Sequence, residues 1–204
     1  RLPLPVKSSP GFLVNRALMP YLMEALLMLD EKIDKLTIDE AAEKFGMPMG
    51  PIELADQVGL DICLAVGDEL RAKLGDSIPA APEWLREKVA KGELGRKTGR
   101  GFYEWKDGRV QKGHAHEHAT PDMTDRLVLP MSNVCVACLR EGIVDNPDTV
   151  DGAMIFGTGY APFRGGPLNY ARERGPENVA NALSALAAKY GERFKPDAGW
   201  ATFR

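Results

Sequence analysis

Thr37-Ile38-Asp39-Glu40-Ala41 returns later in the chain as Thr149-Val150-Asp151-Gly152-Ala153. Other signals recur around it. Upstream of the first copy, Asn15-Arg16 precedes Pro20; upstream of the second, Asp125-Arg126 precedes Pro130 at the same spacing. Downstream, Gly50-Pro51-Ile52 is matched by Gly166-Pro167-Leu168, after a longer Gly/Pro-rich turn. Agreement at one pair carries little weight, but three pairs in the same order mark an internal duplication. Each copy reads as a proline-containing helix, a Thr-x-Asp-x-Ala helix, a Gly-Pro turn and a further helix. Strand signals are sparse. The expected fold is all-α, with two tandem helical units of about 100 residues each.

The local reading fills in this frame. Ser8-Ser9-Pro10-Gly11 predicts a helix start, with Ser9 as cap and Pro10 at the first helical position. Leu18, Leu22, Ala25, Leu26 and Leu29 recur at helical spacing, and Pro20 inside the run predicts a kink. Helices are also expected over Thr37 to Phe45, from Pro51, over Asp61 to Leu74 and over Pro82 to Lys91. Gly95 to Trp105, glycine-rich, basic and ending in aromatics, reads as a structured loop. The polar stretch after it is the best linker. The expected organisation is therefore residues 1–8 as a linker or the end of a preceding domain, 9–106 as the first helical domain, 107–122 as linker and 123–204 as the second domain.

Composition narrows the function classes. The 204 residues carry net charge −3, with 44% hydrophobic and 27% charged, so the bulk of the chain is a folded globule and not a disordered segment. Mild acidity argues against a nucleic-acid binder despite Arg96, Lys97 and Arg100. No apolar run approaches the roughly 20 residues that span a bilayer. Three cysteines do not frame a disulfide scaffold, which points to a reducing compartment, by default the cytoplasm, with mitochondrion or peroxisome left open. The chain begins at Arg1 without a secretory segment and reads as a piece of a longer protein.

Three motifs then carry a resemblance. Ser9-Pro-Gly-Phe-Leu-Val-Asn-Arg16, Gly46-Met-Pro-Met-Gly-Pro-Ile-Glu-Leu-Ala-Asp56 and Gly95-Arg-Lys-Thr-Gly-Arg-Gly-Phe-Tyr103 closely resemble the C-terminal domain of 3-hydroxyacyl-CoA dehydrogenases. The tandem arrangement is similar to that of the multifunctional fatty-acid oxidation proteins. The resemblance implies an NAD-dependent oxidation of (3S)-3-hydroxyacyl-CoA in β-oxidation. Its cofactor domain and catalytic histidine are absent: there is no Gly-x-Gly-x-x-Gly turn, and Leu2 to Lys7 resembles the last strand of the missing Rossmann domain. Partners implied are the acyl-CoA substrate, that Rossmann domain, and the second repeat as an internal pseudo-dimer mate. A helical dimerisation or interaction module without catalysis is the alternative. The chain alone is expected to be inactive.

The resemblance also assigns residues. Asn15 faces the reacting oxygen, where its amide donors can hold developing charge; by itself it suits equally a helix-start residue bonding backbone. The second copy has Asp125 there, which argues against a second active centre. Lys97 is implied on the cofactor side, or is a solvated surface lysine. Met49 is implied to line the acyl site, or to be core. Phe156 is implied to touch substrate, or to be core at the end of an apolar helix. No metal site is expected. Cys135 and Cys138 lack two further ligands and read as buried structural thiols, and His114, His116 and His118 as linker residues.

Overall fold

A computed structural model describes residues 5–75, 78–115 and 117–204. The first repeat consists of α1 (Val14–Asp30), α2 (Lys35–Phe45), α3 (Pro51–Val58), α4 (Leu60–Leu74) and α5 (Glu83–Ala90). A hairpin of β1 (Glu104–Lys106) and β2 (Arg109–Gln111) follows and, among the described residues, is the only sheet. The second repeat consists of α6 (Pro121–Arg140), α7 (Pro147–Thr158), α8 (Pro167–Arg174) and α9 (Pro176–Tyr190), closed by short 3-10 turns. The all-α expectation holds, and no Rossmann-like sheet is present among the described residues. No described helix is long and apolar enough to cross a membrane.

The duplication is visible in bond geometry. Asp39 on α2 accepts the N–H groups of Ile52 and Glu53 at 2.8 and 3.2 Å, which caps α3 from outside. Asp151 on α7 does the same for α8, accepting Leu168 N–H at 2.7 Å and Asn169 N–H at 3.0 Å. The glycine before each proline lets the carboxylate come this close. A Cβ at Gly50 would lie 2.3 Å from Asp39 Cα, and one at Gly166 would lie 2.4 Å from Asp151 Cβ. The Thr-x-Asp and Gly-Pro motifs are thus two halves of one device, a carboxylate docked onto a helix start. Both α3 and α8 have eight residues, and both α4 and α9 have fifteen.

The repeats meet along α1 and α6. Arg16, early in α1, bonds Glu141 just past the end of α6 at 2.7 Å. Arg126, early in α6, bonds Glu31 just past the end of α1, also at 2.7 Å. The two helices are therefore antiparallel, with reciprocal ion pairs. Pro20 and Pro130 are buried at the crossing and line one small cavity together. Both helices continue through their proline despite the lost N–H, because the neighbouring helix holds the defect in place. Arg126 is almost wholly buried and also pairs with buried Glu24 at 2.6 Å, which Arg193 engages from the other side at 2.7 Å.

Local readings change at two places. Helix α1 begins at Val14, and Ser9 caps nothing: Gly11 and Phe12 take positive φ of 72° and 51°, a conformation a right-handed helix cannot continue. Both ends of the stretch expected as linker take part in regular structure. Lys106 pairs with Arg109 in the hairpin, and α6 already starts at Pro121. The intervening segment is pinned to α2, where Thr37 Oγ1 donates to Glu117 O at 3.3 Å. Cys135 and Cys138 are free and buried, as read from the sequence, and so is Cys63. Burial pushes the Cys138 thiol up to about 11 and the Cys63 thiol up to about 12, so neither is a nucleophile near neutral pH. Leu2 to Leu4 of the presumed Rossmann strand, and His116, lie outside the described residues.

Candidate functional site

Asn15 sits in the first turn of α1, immediately after the left-handed turn at Gly11 and Phe12. Its side chain is exposed and bonds no described residue. The reading in which it ties down backbone is therefore overturned. Its counterpart Asp125 is fully committed, accepting both guanidinium nitrogens of Arg174 at 2.5 and 2.7 Å. Arg174 also donates to Tyr170 Oη at 3.1 Å. One copy thus keeps a free amide at this position, and the other fills it with an ion pair.

Residues from both repeats surround Asn15. Val14 packs on Gly157, where an added Cβ would come within 3.0 Å of Val14 Cγ2. Pro48 packs on Gly159, 2.7 Å from the same kind of Cβ. The end of α7 therefore lies across both the start of α1 and the Gly46–Gly50 turn. Met49 is half-buried in that turn. Phe156 is 77% exposed, so the core reading of that ring is overturned. Phe163, which sequence reasoning passed over, is 75% exposed in the chain's next turn, its ring against Gly46. The adjacent Arg164 anchors that turn, stacking 4.1 Å from the Phe45 ring centroid and donating Nε–H to Phe45 O at 2.8 Å.

Lys97 stands apart, at the junction of α3 and α4. It is not a free surface lysine, because its ammonium contacts both oxygens of Asp61 at 2.6 Å. That bond holds the Asp61 carboxyl below the usual carboxylate range. The loop carrying Lys97 is fixed from beneath. Buried Asp56 on α3 accepts Phe102 N–H and Tyr103 N–H at 2.8 Å and Trp105 Nε1–H at 3.0 Å. Gly95 and Gly101 allow this approach, since a Cβ at either would strike Asp56. Tyr103 in turn donates its hydroxyl to Asp39 at 2.9 Å, which joins the loop to the α3 cap. Neither Asp56 nor Asp61 was singled out from sequence: the pairings join positions 46 and 36 residues apart with no periodic signal.

Asp39, Glu43 and Glu53 have carboxylate oxygens within 4.8 Å of one another, a spacing that suits a cation. The ammonium of Lys112 already lies among them, 3.1 Å from Asp39 and 3.0 Å from Glu53. Burial pushes Asp39 up to about 6, opposed by the charge of Lys112 and by hydrogen bonds from Ile52 and Tyr103.

Residues 11–105 match the family described as 3-hydroxyacyl-CoA dehydrogenase, C-terminal domain. The fatty acid oxidation complex subunit alpha of Idiomarina loihiensis is 37% identical over 212 residues, covering 96% of this chain and 29% of that protein. The chain thus spans under a third of the length of such curated relatives. Two crystal structures share the fold at 22% identity. The 3-hydroxybutyryl-CoA dehydrogenase of Escherichia coli K12 superposes with TM-score 0.77 over 97% of this chain and 60% of its own. The dehydrogenase part of multifunctional enzyme 1 from C. elegans superposes with TM-score 0.61 over 90% of this chain and 46% of its own.

Proposed function

Because residues 11–105 match the 3-hydroxyacyl-CoA dehydrogenase C-terminal domain family, we propose that this chain is the helical substrate-side region of a fatty-acid β-oxidation dehydrogenase. The reaction would be the NAD-dependent oxidation of a (3S)-3-hydroxyacyl-CoA to the 3-ketoacyl-CoA. The observation that carries this is Asn15, an exposed amide with no partner at the start of a rigid helix. An exposed amide with no protein partner is available to a ligand oxygen. The amide would donate to the C3 oxygen as charge builds there, without itself titrating. Met49 and Phe156 would wall the acyl chain, and Lys97 would lie on the cofactor side.

The described residues do not fit NAD on their own. They include no parallel sheet and no glycine-rich dinucleotide turn, and their one cofactor-side cation is engaged by Asp61. On this reading a dinucleotide-binding domain would hold NAD and supply the base that takes the hydroxyl proton. This chain's part is to bind, orient and shield. The 204 residues alone, given NAD and a 3-hydroxyacyl-CoA, should produce no rise in NADH absorbance; turnover by them alone would refute the division of labour. In the holoenzyme, Asn15→Ala should lower kcat about 100-fold with KM little changed.

The reciprocal Arg16–Glu141 and Arg126–Glu31 pairs favour a second, compatible role. The two repeats would act as an internal pseudo-dimer and occupy each other's pairing face. On that reading the chain sediments as a monomer at micromolar concentration. Bacterial relatives and three free, buried cysteines support residence in the cytoplasm.

A further inference from the structure

The turn between the Thr-x-Asp-x-Ala helix and the Gly-Pro helix start is four residues longer in the second repeat than in the first. The longer turn includes Phe163 and Arg164. The shorter one, Gly46-Met47-Pro48-Met49, has neither an aromatic ring nor a cation. Asp151 caps α8 across the longer turn with the same pair of bonds that Asp39 makes to α3. The extra residues are therefore not needed for the shared skeleton, and they face the first repeat instead. Arg164 donates Nε–H to Phe45 O at 2.8 Å, and its guanidinium lies 4.1 Å from the Phe45 ring centroid. Phe45 ends α2, so its carbonyl is among those left without a helical N–H. A planar guanidinium satisfies that oxygen and packs flat on the ring in one pose, which an ammonium cannot do. Arg164 is itself held, since its own carbonyl accepts Asn169 Nδ2–H at 2.9 Å.

The contact around this bond is close. A Cβ at Gly46 would lie 2.4 Å from the Phe163 ring, and one at Gly159 would lie 2.7 Å from Pro48. The first repeat's turn is thus gripped at Phe45 by Arg164, at Gly46 by Phe163 and at Pro48 by Gly159. Its far end is fixed by Asp39, which accepts Ile52 N–H. Half-buried Met49 lies between these anchors. Its side chain is unbranched and adaptable, so where it can reach is set by the backbone that carries it. We propose that Arg164 is a positioning residue of the substrate site: from the second repeat, it fixes the turn that carries Met49 and so sets the acyl wall of the first. The proposal rests on the dehydrogenase reading above, in which Met49 walls the acyl chain. The second repeat then serves the reaction without touching the reacting atoms.

The test uses the native polypeptide or complex that carries these 204 residues. Arg164→Ala and Arg164→Lys are compared with wild type on the shortest and the longest 3-hydroxyacyl-CoA that the wild type oxidises, followed by NADH formation. Arg172→Ala controls for general loosening, because Arg172 makes the same kinds of contact elsewhere in the repeat, donating to Arg204 O and stacking on the Phe203 ring. Arg164→Ala should raise KM for the longest substrate about tenfold, with kcat and the KM for NAD within about twofold of wild type. KM for the shortest substrate should move by about twofold or less, and Arg172→Ala should shift none of these constants further than that. Arg164→Lys restores a donor without the flat stack, so its long-chain KM should lie between, about threefold above wild type. Hydrogen exchange in a peptide covering 43–50 should quicken about tenfold in Arg164→Ala and stay as in wild type in Arg172→Ala. Should Arg164→Ala not fold, Arg164→Lys decides on the same two substrates. Equal KM shifts at both chain lengths, the same shifts in Arg172→Ala, a loss confined to kcat, or unchanged exchange overturns the proposal. Failure of the dehydrogenase reading shows separately, as a wild-type enzyme that forms no NADH from any 3-hydroxyacyl-CoA, and it removes the proposal with it.

Discussion

The two repeats share a skeleton and differ in what they leave open. Both dock a buried aspartate onto a Gly-Pro helix start, and both send an arginine across to the far end of the partner helix. The first presents an amide without a protein partner at Asn15; the second closes the matched position with Asp125 and Arg174. The retained features are those whose loss leaves a steric clash or an uncapped helix. The altered ones lie on the surface, where a duplicated fold tolerates change. A copy can therefore keep its packing contacts while its surface residues change.

The reciprocal ion pairs give the largest expected contrast. Arg126 is buried against Glu24 and Glu31, whereas Arg16 meets a partly exposed Glu141. Removing one partner of a buried pair strands the other charge. Arg126→Met should therefore cost about 3–5 kcal/mol in urea unfolding, and Arg16→Met about 1 kcal/mol or less. Equal losses would mean that the crossing is symmetric in energy as well as in pattern.

Function should separate the repeats almost as sharply. In the holoenzyme, Asn15→Ala is expected to cost about 100-fold in kcat, roughly 2.7 kcal/mol of transition-state stabilisation. Asp125→Asn should leave kcat within about twofold and cost about 1 kcal/mol of stability through the weakened Arg174 pair. A comparable fall in kcat for both would show that the second repeat also touches substrate.

How much of this was legible in the sequence depends on the range of each interaction. The duplication, the all-α class and the Gly-Pro helix starts rest on short-range signals: spacing, proline position and turn residues. The same reading misplaced the start of α1, because Ser9-Pro10 looks like a cap until Gly11 and Phe12 turn left-handed. It treated the segment after the hairpin as a solvated linker, because the partners that pin it, Asp39 to Glu53, lie far away in sequence. Asn15 and Lys97 were singled out only through family resemblance. That Asn15 is unbonded and Lys97 is held by Asp61 are tertiary facts without a local signature. Phe163 was passed over because one apolar residue near a helix end looks like core.

The two helix-capping aspartates offer the subtlest contrast. Burial pushes both Asp39 and Asp151 up to about 6, but only Asp39 has an ammonium beside it. A carboxyl that holds its proton more tightly when folded than when unfolded favours the folded chain at low pH. That contribution is full below the unfolded value near 4, declines between about pH 4 and 6, and is gone above the folded value. Each aspartate should therefore draw stability down as pH rises through that window, although the capping bonds persist at neutral pH. Lys112→Met removes the charge that holds Asp39 down. The Asp39 carboxyl carbon should then titrate higher by NMR while Asp151 keeps its midpoint, and the decline in melting temperature with pH should extend above pH 6. If both midpoints move together, the two caps are coupled across the α1–α6 contact. An unmoved Asp39 would mean that its amide and Tyr103 donors, and not Lys112, set its charge.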